Sequence, residues 1–374
     1  MRIDFHQHYL PGPVTLADEA AQQWLHQQSR VQDYADTDAI IAALDAAQLD
    51  VAVFQGEYYL HQHNCVARNR AVQAVCARAP HRLKAFAIVQ PRHPDACEEI
   101  ARCRDAGMWG VGELNPAIQQ FSVRDAAVQR VFAYCERHAI PVLLHVNEPV
   151  GRAYPGKIST PLVTYYEIAA RFPELTLILA HWGGGLLWYE TMPAVRTVLK
   201  NVYYDTAASP LLFPDTPTIA QMARLAAPHK IIFGSDFPLR HDMRQPAQIA
   251  PFATQLAQAL ADDQLAEAWF GATAWQLVNR TPSTDSGLPT TSLYFPVSQQ
   301  TSLLLLVTHY PEVLPLLASA GIVVDEYTPW WQTLVTAATT VGIPPSQLTQ
   351  LIMRIHEHTD ALRPTRPEDD GRAG

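Results

Sequence analysis

Lysine is nearly missing from this sequence: Lys84, Lys157, Lys200 and Lys230 are the only ones in 374 residues. Arginine supplies the rest of the 27 basic side chains, against 36 acidic ones, and the formal net charge is −9. No basic face is available for a nucleic-acid backbone, so no nucleic-acid partner is expected. Cysteine is also scarce. Cys65, Cys76, Cys97, Cys103 and Cys135 are odd in number and form no C-x-x-C pair. They read as reduced, mostly buried thiols of a cytoplasmic protein. Long hydrophobic runs are lacking as well. No stretch reaches the ~18 apolar residues of a membrane span, and Met1 leads into "RIDFH" without a signal-peptide apolar region. No Gly-x-Gly-x-x-Gly follows a strand-like run, so a dinucleotide fold has no support.

What is present is a repeat of short apolar runs. They fall at 2–6, 49–55, 84–90, 109–114, 141–145, 175–181, 201–206 and 230–236. Most are apolar at nearly every position, as strands buried on both faces are. The segments between them have helical spacing. Ile40, Ile41, Leu44 and Ala47 share one stripe, and Val128, Val131, Phe132 and Cys135 share another. Asp36 and Ser122 are the expected N-caps. Strand and helix alternating through about 280 residues predict an α/β fold, a (β/α)8 TIM barrel, with an open doubly wound sheet as the structural alternative.

In such a barrel the C-terminal strand ends form one rim, where chemistry sits. The first run ends at His6, with His8 two residues on and on the same side of the chain. The fourth ends at Glu113, the fifth at His145, the sixth at His181 and the eighth at Asp236. A lone strand-end histidine is more often packed than ligating, and a lone aspartate often caps the next helix. Convergence of these residues on one rim instead predicts a divalent metal, Zn²⁺ first, with Mn²⁺ or Fe²⁺ as alternatives. The other His-x-His pair, His61 and His63, lies beyond the end of the second run. It is expected in a loop or a helix start.

"FHQH", "LLHVNEP", "ILAHWGGG" and "IIFGSDFP" together resemble the motifs of the metal-dependent amidohydrolase superfamily. The branch is the one that includes aminocarboxymuconate semialdehyde decarboxylase. The resemblance covers residues 1–280. It implies that His6, His8, His145 and Asp236 surround the metal. It also implies that His181 stands beside a metal-activated water as an acid/base or electrostatic group, or holds a second ion. Asp236 is then the proton carrier.

Lysine's scarcity matters here. Many members of the superfamily with two ions use a carboxylated lysine on strand 4, and this chain has Glu113 there. Lys84, Lys200 and Lys230 precede strands and belong at the opposite rim, so neither a carbamate bridge nor a Schiff-base lysine is expected. Glu113 is either a carboxylate orienting a ligand histidine or itself a ligand, bridging to a second ion held by His145 and His181. The loop after the fifth run offers Arg152, Tyr154 and Lys157 as substrate contacts, and Arg240 follows the eighth run.

Residues 281–299 are rich in Pro, Ser, Thr and Gly and read as a linker. Residues 300–362 are expected to form a small all-α domain. "SLLLLVTHYPEVLPLLASAGI" and "TLVTAATTVGIPPSQLTQLI" resemble the small helical domain of di-iron repair proteins. That family carries cysteines after the Gly-Ile, where this chain has "GIVVDEY". A docking or homo-oligomerisation role is therefore preferred, with Trp330 and Trp331 either in the core or against a partner. Residues 363–374 read as a disordered tail. The expected function is a metal-dependent hydrolase cleaving a C–N or C–O bond of a small molecule. A non-oxidative decarboxylase of an unsaturated or aromatic carboxylate is the alternative, and a non-catalytic metal-bearing scaffold the third.

Overall fold

A computed structural model describes residues 1–12, 32–151, 153–154, 157–158, 160–281, 299, 301, 303, 306, 313–324 and 332–361, with side chains in the last helix to residue 357. The chain divides into two compact units, Met1–Ser286 and Gly287–Gly374.

The first unit contains all eight expected strands: β1 (Ile3–Gln7), β2 (Val51–Phe54), β3 (Leu83–Ala87), β4 (Gly110–Leu114), β5 (Val142–Leu144), β6 (Leu177–Leu179), β7 (Val202–Asp205) and β8 (Ile231–Ile232). They pair in parallel in sequence order. The last strand returns to the first. Phe5 N–H donates to Phe233 O at 2.9 Å, and Asp236 N–H to His6 O at 2.8 Å. The buried Asp4 carboxylate accepts the Ser235 N–H at 2.9 Å and the Ser235 hydroxyl at 2.6 Å. The architecture is a TIM barrel.

Eight of the helices that lie between or after the strands are α1 (Thr37–Ala46), α2 (Gln62–Cys76), α3 (Ala96–Asp105), α4 (Ala126–Arg137), α5 (Leu162–Arg171), α6 (Pro193–Val198), α7 (Thr216–Ala226) and α8 (Ala250–Leu260). Asp36 caps α1, accepting the Ala39 N–H at 2.9 Å. Ile40 and Leu44 are its buried stripe. The stripe of α4 is also as expected, but its start is not. Ser122 opens a turn in which its N–H donates to Asp125 Oδ2 at 3.2 Å, and the helix begins only after Asp125.

Two apolar clusters sandwich the strands. Ala52, Phe54, Ala85, Val111, Val142 and Leu177 pack outward with helix residues such as Ile40, Ile100 and Phe132. Ile3, Phe5, Val53, Phe86, Leu143, Ile178 and Ile232 come from six of the eight strands and fill the barrel interior. Strict alternation from Ile3 and Phe5 would put Gln7, not His6, on that inner face. The register of β1 against β2 shifts between Asp4 and Gln7, an irregularity of the kind that re-aims side chains.

Helices Leu314–Ser319, Leu334–Thr340 and Pro345–Ala361 lie in the second unit. It has a core of its own, made by Leu303, Leu306, Val313, Leu317, Leu334, Leu351 and Ile355. Trp330, Trp331, most of the 281–299 segment and the 363–374 tail lie outside the described residues. Among the described residues no helix is long and apolar enough to cross a membrane.

Candidate metal centre

The strand-end residues meet as two groups that share Glu113. His6, His8 and Glu113 have donor atoms within 4.8 Å of one another, and so do Glu113, His145 and His181. The two Glu113 oxygens divide between the groups. Oε2 lies 3.6 Å from His6 Nε2, while Oε1 lies 2.9 Å from His145 Nδ1 and 3.7 Å from His181 Nε2. Asp236 Oδ1 closes the first group, 3.2 Å from His8 Nε2 and 3.8 Å from His6 Nε2.

Three of the four imidazoles are anchored through the far nitrogen. His6 Nδ1 lies 2.8 Å from Asp205 Oδ2, and His181 Nδ1 lies 3.1 Å from Ala207 O. His145 Nε2 lies 3.1 Å from Asn147 Oδ1, which also accepts the Ile158 N–H at 2.9 Å. With those nitrogens donating, the near ones present lone pairs to the carboxylates. His6 Nε2 is buried and has no hydrogen-bond partner. Buried acceptors aimed at one another are costly unless a cation or proton satisfies them. The donor set therefore fits a divalent ion, with anchoring contacts of the kind that fix metal-ligand tautomers.

The turn that delivers His181 is unusual. The expected strand through residue 181 stops at Leu179. His181, Trp182, Gly183, Gly184 and Gly185 follow with φ of 57°, 59°, 60°, 59° and 97°. This is a left-handed turn, costly for His181 and Trp182. The His181 N–H donates to Asp205 Oδ1 at 2.9 Å and the Trp182 indole to Ser209 Oγ at 2.5 Å. Both bonds hold the turn in place. The glycines are needed for approach as well as for φ. A Cβ on Gly184 would lie 2.5 Å from Asn147 O, and one on Gly183 would lie 2.8 Å from the Tyr204 ring. Asp236 is also left-handed, at φ 65°.

Charge balance follows from this packing. Burial opposes a charged His6, but Asp205 and Glu113 outweigh it and raise its pKa well above the usual imidazole value. Burial likewise opposes a charged Glu113, yet His145 and His6 hold its carboxyl well below the carboxylate range. Burial lowers His181. The pocket thus favours positive charge beside His6, which is the role of a bound cation.

Two contributors escaped the sequence reading. Asp205 is fully buried at the end of β7, and its only outward signal is its strand-terminal place in "NVYYDT". Tyr58 follows β2 in "GEYY". Its hydroxyl lies 2.6 Å from Glu113 Oε2 and 2.9 Å from His145 Nδ1.

The centre opens into a cavity of about 800 Å³. Tyr154 lines it, its hydroxyl donating to Glu148 Oε2 at 2.9 Å. Lys157 pairs with Glu148 at 2.8 Å and Arg240 pairs with Asp33; neither lines the cavity. Arg152 lies outside the described residues. His61 precedes α2, and its ring stacks on His63 at 5.5 Å, away from the cavity.

The amidohydrolase family model matches residues 3–280. The chain belongs to the amidohydrolase family. No curated protein matches it. Among solved structures, this amidohydrolase is similar to the 2,6-dihydroxybenzoate decarboxylase from Rhizobium at 18% identity, over 74% of this chain and 98% of that one, with a TM-score of 0.54. A dihydroxybenzoic acid decarboxylase from Polaromonas, with bound manganese and the inhibitor 2-nitroresorcinol, is 16% identical over 75% and 97%, with a TM-score of 0.54. The 5-carboxyvanillate decarboxylase from Sphingomonas paucimobilis is 16% identical over 66% and 84%, with a TM-score of 0.53. At these identities the likeness is one of fold.

Proposed function

We propose that this amidohydrolase is a metal-dependent hydrolase of a C–N or C–O bond in a small molecule. The observation that carries the reading is Glu113, whose two oxygens face different histidine groups. That arrangement supports a centre for two ions, with His6, His8 and Asp236 on one side and His145 and His181 on the other. A divalent cation held there supplies Lewis acidity to the bond under attack. Asp236 Oδ1 takes the proton from the attacking water and returns it to the leaving group. His181 faces the same space through Nε2, where it helps hold a cation or, when protonated, steadies charge on the substrate carbonyl oxygen. Tyr58 donates to Glu113 and keeps that carboxylate in place between the groups.

Decarboxylation is the second reading, favoured by the activities named for the three structures of like fold. Asp236 would then pass its proton to carbon. Carbon dioxide release separates the two reactions. The metal centre is tested by elemental analysis of the full chain and of Glu113→Ala. Two ions in the wild type and fewer in the variant are expected; one ion in both sinks the two-ion form.

A further inference from the structure

Two of the three anchored imidazoles lean on groups that only accept a hydrogen bond: His6 on the Asp205 carboxylate and His181 on the Ala207 carbonyl. His145 leans on an amide. Asn147 can in principle turn either its oxygen or its NH2 group to the ring. What decides between them lies further along the same loop. The Ile158 backbone N–H, which can only donate, reaches Asn147 Oδ1 at 2.9 Å. Asn147 Nδ2 donates to the Tyr154 hydroxyl at 2.9 Å. That hydroxyl has to accept, because its one proton goes to Glu148 Oε2 at 2.9 Å. Lys157 Nζ holds the other oxygen of Glu148 at 2.8 Å. An ionised carboxylate only accepts, so the whole chain has one consistent polarity. Reversing the amide would set two N–H donors against each other at Ile158 and take the Tyr154 proton away from Glu148.

We infer that Tyr154 and Glu148 are positioning residues: acting through Asn147, they hold the proton of His145 on Nε2 and leave the Nδ1 lone pair free for a cation. The inference rests on reading His145 as a ligand of the second ion. Glu113 Oε1 lies 2.9 Å from that Nδ1. Left to itself, this carboxylate would draw the ring proton onto Nδ1 and block the lone pair. The chain from Glu148 works against that tautomer from the other side of the ring, as partners behind a metal-ligating histidine do. Tyr154 lines the cavity, but its proton is committed to Glu148 and is not available to a substrate.

The test is Zn²⁺ affinity of the full chain by chelator competition, in wild type, Tyr154→Phe, Glu148→Gln and Asn147→Asp. Tyr154→Phe should weaken one ion roughly fivefold, the size of one hydrogen bond, and leave the other unchanged. Glu148→Gln, whose amide can offer Tyr154 a donor, should act in the same direction, and it carries the comparison if Tyr154→Phe does not fold. Asn147→Asp, which can only accept, should bind both ions at least as tightly as wild type. A second readout needs no metal. Long-range ¹H–¹⁵N spectra of the metal-free chain, labelled at histidine, show which ring nitrogens carry protons, and loss in His145→Gln identifies the His145 signal. Wild type should carry a proton on His145 Nε2, and its signal should shift or broaden in Tyr154→Phe. Unchanged affinities in Tyr154→Phe and Glu148→Gln, or a His145 Nε2 without a proton in wild type, overturn the inference. A wild type that binds one ion or none sinks the two-ion reading instead, and the Nε2 signal then decides the role of Tyr154 by itself.

Discussion

Asp205 and His6 are joined by a 2.8 Å contact between Oδ2 and Nδ1, and both side chains are fully buried. The other Asp205 oxygen takes the His181 N–H at 2.9 Å. One carboxylate at the end of β7 therefore orients ligand candidates from β1 and from the turn after β6. Asp205→Asn keeps the shape but replaces an acceptor with an ambiguous amide. Zn²⁺ affinity should fall by roughly 10- to 100-fold, measured by competition with a chromogenic chelator. Unchanged affinity would remove Asp205 from the centre.

Tyr58 makes a second prediction. Tyr58→Phe removes the 2.6 Å donor to Glu113 but keeps the ring. Zn²⁺ binding should weaken by roughly tenfold or more, with the urea midpoint shifting by no more than a single hydrogen bond, about 1 kcal/mol. A large loss of stability with normal metal affinity would make Tyr58 a packing residue only.

The turn after β6 can be probed at its glycines. Gly184→Ala places a methyl 2.5 Å from Asn147 O, whereas at Gly185 the nearest atoms belong to the Trp188 ring at 3.3 Å. Gly184→Ala should cost about 2–4 kcal/mol, adding overpacking to left-handed strain. Gly185→Ala should cost about 1–2 kcal/mol from backbone strain. Denaturant unfolding of the two variants checks the order, and equal losses would contradict the close approach.

Acid sensitivity is expected at a site remote from the centre. Glu99 is buried, which opposes its charge, but the Arg102 guanidinium at 2.7 Å and Asn69 at 2.8 Å outweigh burial and hold its carboxyl below the usual range. A carboxyl with a lower pKa folded than unfolded stabilises fully above the unfolded value, about 4.3, and loses that contribution as pH falls through the folded value. The stability difference between wild type and Glu99→Gln should therefore narrow between about pH 6 and about pH 3. Urea midpoints at both pH values measure it, and a difference that does not change with pH would count against the assignment.

The barrel was legible because doubly buried strands leave continuous apolar runs, and each strand found lies within or one residue beyond the run that announced it. His6, His8, Glu113, His145, His181 and Asp236 were visible as polar residues closing or following such runs. Asp205 closes a run as well, but an aspartate before a threonine is indistinguishable in sequence from a helix cap. Tyr58 lies four residues past β2, where no strand period fixes its direction. The end of β6 was overestimated because "LILAHW" continues apolar while its backbone turns left-handed. Only the glycines hint at that reversal. Arg240 looked like a rim cation, and its pairing with Asp33, 207 residues away, could not be read locally.

The hydrogen bonds that join β1 to the segment after β8 have a consequence for synthesis. His6 leaves the ribosome early, but its neighbour Asp236 follows 230 residues later, and Ser235, which braces Asp4, follows 231 residues after it. Until that last segment emerges, β1 has an open edge and the centre lacks a carboxylate. Contacts of such separation form late. A nascent chain halted before residue 231 would carry most of the histidines yet no finished site, so the candidate metal centre is complete only when the barrel closes.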